Sequence, residues 1–191
     1  MISRQLTLPL LGAALLAAST TTSFAATEDL LSDNGSLATA QNVDPFSSFD
    51  VINVFGFRGT VLDGAIVDND DADFYSFTVA DNTRITLAVT TPEGPFFDDD
   101  PVLALYDAGG TQVAVDDDGG EGYDSLLSFN ALIGGVYFAA VSGFSDFDFE
   151  GGGDSDFLYQ LKITAAPVPL PAPLVLLGSA VALFAVRRRD A

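Results

Sequence analysis

Aspartate is the residue most able to do chemistry in this chain. Three clusters of it interrupt apolar sequence: Asp68-Asn69-Asp70-Asp71-Ala72-Asp73, Asp98-Asp99-Asp100 ahead of Pro101, and Asp116-Asp117-Asp118 ahead of Gly119-Gly120. Crowded carboxylates repel one another unless a cation sits among them. Calcium takes about six to eight oxygen ligands from flexible loops. The spacing therefore points to one calcium site, built chiefly from Asp68, Asp70, Asp71 and Asp73 with Asp117 or Asp118 supplied by a neighbouring loop. These clusters lack the full EF-hand spacing, and solvated turn aspartates are the other reading.

A second stretch, FSDFDFEGGGDSD from Phe144 to Asp156, alternates aromatic and acidic residues beside a glycine run. Exposed Phe144, Phe147 and Phe149 would stack on sugar rings or a partner surface, with Asp146 and Asp148 accepting hydroxyl hydrogen bonds. The plainer alternative is an insertion between two core strands whose phenylalanines partly fold back. Paired carboxylates also serve glycoside hydrolysis, but nothing singles out a pair here and glutamate is scarce, so the chain reads as no enzyme. Gly151-Gly152-Gly153 lacks the following lysine of a phosphate loop.

Composition removes most other chemistry. The 191 residues contain no cysteine and no histidine, which excludes disulfides, thiolate or imidazole metal ligation and histidine-based triads. The 27 acidic residues face only 7 basic ones, a net charge of −20. Four of the bases, Arg4 and Arg187 to Arg189, lie near the ends, so residues 26–166 are more acidic still. Such a surface repels phosphate backbones, and no nucleic-acid partner is expected.

The elements that must position these acids are strands. Between Phe46 and Thr164 the apolar residues recur with period two in short bursts separated by turn residues. Tyr75, Phe77 and Val79 share one face, as do Ile85, Leu87 and Val89, with a hairpin-like connection at Ala80-Asp81-Asn82. Leu103 and Leu105, Val113 and Val115, Tyr137, Ala139 and Val141, and Tyr159, Leu161 and Ile163 are the further inward sets. The pattern predicts an all-β fold, an antiparallel jelly-roll-like β-sandwich of about eight or nine strands.

Both ends read as addresses. Arg4, an apolar stretch from Leu6 to Ala18 and the small residues Ser23 and Ala25 form a signal-peptide pattern, with cleavage by signal peptidase between Ala25 and Ala26. At the other end a proline-rich spacer, 165–172, precedes the apolar segment 173–186 and the basic tail 187–191. A helix over 173–186 is roughly 21 Å long, short of the ~30 Å hydrocarbon core, which suits a transient inner-membrane anchor. Arg187, Arg188 and Arg189 act as the cytoplasmic membrane stop, leaving the rest outside. The expected organisation is a signal peptide over 1–25, a lead-in segment over 26–45, a sandwich over 46–164, then the spacer, the transmembrane helix and the tail.

Two resemblances follow from these residues. VPLPA at Val168, Pro169, Leu170, Pro171 and Ala172, followed by an apolar segment and arginines, resembles the PEP-CTERM sorting signal in its VPLPA variant. The resemblance implies recognition by an exosortase, a membrane protease that removes the tail and passes the protein to the cell surface or the extracellular polysaccharide matrix. DADFYSFTV, then PVLALYDAGGTQVAVDDDGG, GGVYFAAVSGF and FLYQLKIT resemble the bacterial pre-peptidase C-terminal domain over roughly residues 33–164, with NGSLATAQNVD as its lead-in. That implies a sandwich module, usually an accessory to secreted hydrolases, and related collagenase-borne modules bind calcium. The combined expectation is an exported, non-enzymatic acidic sandwich with a structural or adhesive role, stabilised by calcium, or else a module that binds carbohydrate or protein through its acidic and aromatic loops.

Overall fold

The fold is taken from a computed structural model, which describes residues 21–29, 33–44, 51–58, 60–62, 65–67, 72–92, 99–153 and 157–169. Twelve strands run in chain order among these: β1 Ser23–Thr27, β2 Gln41–Asn42, β3 Val51–Arg58, β4 Thr60–Leu62, β5 Ala65–Val67, β6 Asp73–Val79, β7 Thr83–Thr90, β8 Pro101–Asp107, β9 Gln112–Asp116, β10 Ser125–Ala131, β11 Gly135–Gly143 and β12 Phe157–Pro167. Two five-stranded sheets, ordered β1-β3-β12-β7-β10 and β2-β6-β11-β8-β9, make the sandwich, and β4 and β5 pair separately.

The inward sets meet between the sheets. Tyr75, Phe77, Ile85, Leu87, Val89, Leu103, Leu105, Ala139, Val141, Leu161 and Ile163 are all fully buried in one cluster. Each buried aliphatic side chain contributes about 1.5–3 kcal/mol, so this layer dominates the stability.

Three expectations are corrected. The sheets are mixed, because β1 pairs in parallel with β3 and β2 with β6. Both parallel strands come from the N-terminal segment, where the short SFAAT and QN runs carry no alternation of large apolar residues. The Ala80-Asp81-Asn82 connection is an arch rather than a hairpin, since β6 and β7 lie in different sheets. Alternation dictates which way a side chain faces and is silent on which strand is the partner. Finally, Val115 is 43% exposed while Ala114 packs on the core, because the β8–β9 register shifts between Leu105 and Tyr106.

The second sheet is buried on its outer face too. Phe74, Val102, Ala104, Tyr106, Ala140 and Phe149 form a second cluster, with Leu37 and Ala40 of the lead-in packed against it. This is why β8 and β11 read PVLALY and VYFAAV, nearly continuous apolar runs of the kind a strand covered on both faces requires.

Candidate functional site

The site is a pair of buried acids where the two sheets meet. Glu28 follows β1 and is 7% exposed, and Asp73 opens β6 at 4%. The Glu28 carboxylate accepts from the Phe57 backbone N–H at 2.7 Å through Oε2 and from the Asn34 amide at 3.2 Å through Oε1. Asn34 is itself tied to β6, its carbonyl accepting from Phe74 N–H at 2.9 Å. From the opposite sheet the Tyr159 hydroxyl donates to Asp73 Oδ2 at 2.7 Å and lies 2.5 Å from the Tyr75 hydroxyl. Tyr159 reaches this position because it faces Gly56 across β3, where any Cβ would run into its ring.

Burial drives the electrostatics. Desolvation pushes Asp73 well above the ordinary carboxylate range, and the adjacent Glu28 charge adds to it, against smaller opposition from Tyr159 and the Arg58 cation. Burial raises Glu28 as well, only partly offset by its hydrogen bonds to Phe57, Asp73 and Asn34. Tyr75 and Tyr159 are both raised by burial and by the Asp73 charge. Arg58 is fully buried, with its guanidinium 5.9 Å over the Phe157 ring and Nη2 3.5 Å from the Gly153 carbonyl. Two acids this close and this dry are satisfied by retaining a proton or by holding a cation.

Of the expected calcium ligands, the structure describes Asp73, Asp117 and Asp118. Asp68, Asp70 and Asp71 lie outside the described residues. Asp73 is a member of the buried pair. Asp117 and Asp118 do not join it: Asp73, Val141, Leu103 and Asp116 form one row across β6, β11, β8 and β9. Three strand spacings put Asp116 roughly 14 Å from Asp73. At this turn Asp116 Oδ2 accepts from Gly119 and Leu126 N–H at 2.8 Å each and Asp117 Oδ1 from Asp118 N–H at 3.1 Å. Among the described residues no three acidic side chains converge on one point, so a cation here would have two carboxylates and complete its shell with other oxygens.

The aromatic loop divides. Phe149 is folded back on the sandwich, 5% exposed and packed edge-on against Tyr106, 6.1 Å between ring centres. The outer face of the second sheet claims it. Phe144 and Phe147 are 39% and 41% exposed and pack edge-to-face on each other at 5.9 Å.

Both addresses run into the fold, Ser23 to Ala25 pairing with Val51 to Asn53 and Ala165 to Pro167 with Thr83 to Ile85. The Ala25–Ala26 bond lies within β1, and Ala26 packs on the inner core. Val168 N–H donates to the Asn82 carbonyl at 2.8 Å, so β12 runs directly into the VPLPA motif. Leu170, Pro171, Ala172 and the segment 173–191, with Arg187 to Arg189, lie outside the described residues. Among the described residues no helix is long and apolar enough to cross a membrane.

Glu28 and Tyr159 escaped the sequence reading as site residues. Glu28 stands 45 positions from Asp73 with no acidic cluster around it, and the only local signal was the small Gly56 that faces Tyr159.

The sequence model of the bacterial pre-peptidase C-terminal domain matches residues 71–143. Among solved structures, the pre-peptidase C-terminal domain of collagenase from Bacillus anthracis is 16% identical, covering 66% of this chain and 94% of that one, with a TM-score of 0.41. PliG from Aeromonas hydrophila, a periplasmic inhibitor of g-type lysozyme, is 10% identical over 75% of this chain and 99% of its own, with a TM-score of 0.45. The Salmonella Typhimurium PliG is 16% identical over 66% and 100%, with a TM-score of 0.40. No curated protein matches the sequence.

Proposed function

We propose that the chain is an exported, non-enzymatic acidic sandwich of the pre-peptidase C-terminal type, held briefly in the inner membrane and then passed to the cell surface or exopolysaccharide matrix, where it acts structurally or adhesively with calcium as its stabilising ion. The observation that carries this reading is the burial of Glu28 and Asp73 against each other. Acids closed off from solvent cannot meet a polymeric substrate, yet they are well placed to gain from a small cation.

The donor set fits calcium. Glu28 and Asp73 supply carboxylates, and the Asn34 amide offers its oxygen after a half-turn. Asp71, next to Ala72 at the head of β6, remains part of the proposed set by its place in the sequence. Calcium bound there would replace the retained proton and tie the segment after β1 to β6.

Sorting is proposed through Val168 to Ala172, with signal peptidase acting first and an exosortase-type protease second. Co-expression of the full chain, carrying a C-terminal epitope, with such a protease tests this. The epitope should be lost from the wild type and kept when Pro169 and Pro171 become alanine. Retention in both overturns the sorting claim.

One observation favours a second reading, a ligand-binding module: Phe144 and Phe147 present a paired aromatic surface. Binding to host polysaccharide that disappears in Phe147→Ala would support it, and a glycan array with no signal would remove it.

A further inference from the structure

The loop after β11 reads Asp146-Phe147-Asp148-Phe149-Glu150-Gly151. Acid, acid, acid and glycine at the first, third, fifth and sixth places is the opening of a calcium loop of the EF-hand type, with glutamate in the fifth place. The backbone follows suit. Phe149 at the fourth place and Gly151 at the sixth both adopt left-handed conformations, φ 57° and 92°. Phe149 bears the cost of an L-residue there, about 1–2 kcal/mol, because its ring is locked under Tyr106. The two reversals curl the chain back so that Gly151 N–H donates to Asp146 Oδ2 at 3.1 Å, and the same oxygen accepts from Ser142 Oγ at 2.7 Å.

The other oxygen is the telling one. Asp146 is 5% exposed, and its Oδ1 is buried with no hydrogen-bond partner. A buried carboxylate oxygen left unmatched is costly, and native folds rarely keep one without an ion or water to fill the place. The Asp148 carboxyl is a close neighbour of Asp146. Burial would raise Asp146, yet hydrogen bonds from Ser142, Asp148 and the Gly151 and Glu150 backbone outweigh it and keep the group below the ordinary range. Asp146 thus has a second acid beside it. Tyr106 records both charges, its hydroxyl pushed up to about 12 by burial and then by Asp146 and Asp148.

We propose that this loop is a calcium site distinct from the Glu28–Asp73 pair, with Asp146 Oδ1 and the Asp148 carboxylate as anionic ligands. Glu150 stands exposed at the fifth place, and Gly152 occupies the seventh, whose carbonyl serves in such loops. The twelfth place is Phe157, already inside β12, so the bidentate glutamate of a tight site is missing. The expected dissociation constant is accordingly in the range of extracellular modules, about 0.1–1 mM. The inference is independent of sorting and of any ion at Glu28.

Terbium luminescence on the full chain in detergent tests it, because tyrosine sensitises a bound lanthanide and Tyr106 lies beside this site. Wild-type emission should saturate with terbium and be displaced by calcium near its expected dissociation constant. Asp148→Asn removes one ligand at an exposed position without disturbing packing, and should abolish that component. Asp146→Asn should do the same, and Tyr106→Phe should dim the emission while calcium binding by calorimetry persists. Asp73→Asn should leave the component in place. If Asp148→Asn binds terbium and calcium as the wild type does, the loop site is overturned, whether or not Asp73→Asn changes the signal.

Discussion

The Glu28–Asp73 pair and the Asp116–Asp118 turn stand at the same end of the second sheet and treat the same functional group in opposite ways. In the turn, carboxylate oxygens accept from backbone N–H groups at the surface, and the acids serve as local architecture. In the pair, two acids from segments far apart in sequence are brought together out of water, so burial raises both and the Glu28 charge raises Asp73 further. The difference teaches that acidic clustering along a chain is a weak guide to a cation site. What matters is whether the oxygens are already spent, and how dry they are.

The largest expected effect comes from Tyr159→Phe. It strips the buried Asp73 of its hydroxyl donor and should destabilise the fold by about 1–3 kcal/mol, read by urea denaturation. Asp116→Ala leaves two N–H groups near the surface to water and should cost about 0.5–1.5 kcal/mol, equally with and without calcium. Equal calcium dependence in the two variants would erase the contrast between the regions.

pH sharpens the contrast further. Asp73 and Glu28 are raised in the folded state, so between the ordinary carboxylate range and their folded values the native protein binds more protons than the unfolded chain. Their contribution to stability is fully present below the ordinary range and is lost as pH rises through the folded values. In chelator the melting temperature should therefore fall over that window, and Glu28→Gln should flatten the fall. Asp146, lowered in the fold, works with the opposite sign and is common to both proteins in this comparison. The smallest effect belongs to the exposed Asp118: Asp118→Asn should stay within about 0.5 kcal/mol of wild type by urea denaturation.

The inner core was legible from residue types. Period-two alternation placed Tyr75, Phe77, Ile85, Leu87, Tyr159 and Leu161 on inward faces, and all are buried there. Strand partnership was not legible, because the arch at Ala80–Asn82 and a hairpin present the same facing pattern to a reader of alternation. The outer layer was half visible: continuous apolar runs in β8 and β11 signal cover on both faces, but what supplies the cover, Leu37, Ala40 and Phe149, is scattered among polar neighbours. Asp73 was found as part of a run, whereas Glu28 was invisible because its importance comes from a contact with a distant strand.

The most direct measurement is a thermal melt of the full chain in the Asp148→Asn background, first in chelator and then across a calcium series, with and without Asp73→Asn. That background leaves the acid pair as the responding site. The account predicts a saturable rise in melting temperature with calcium that disappears when Asp73 is replaced, since an ion that binds only the folded state must stabilise it. A melting temperature that stays flat through millimolar calcium, or one that rises equally after Asp73→Asn, would contradict it.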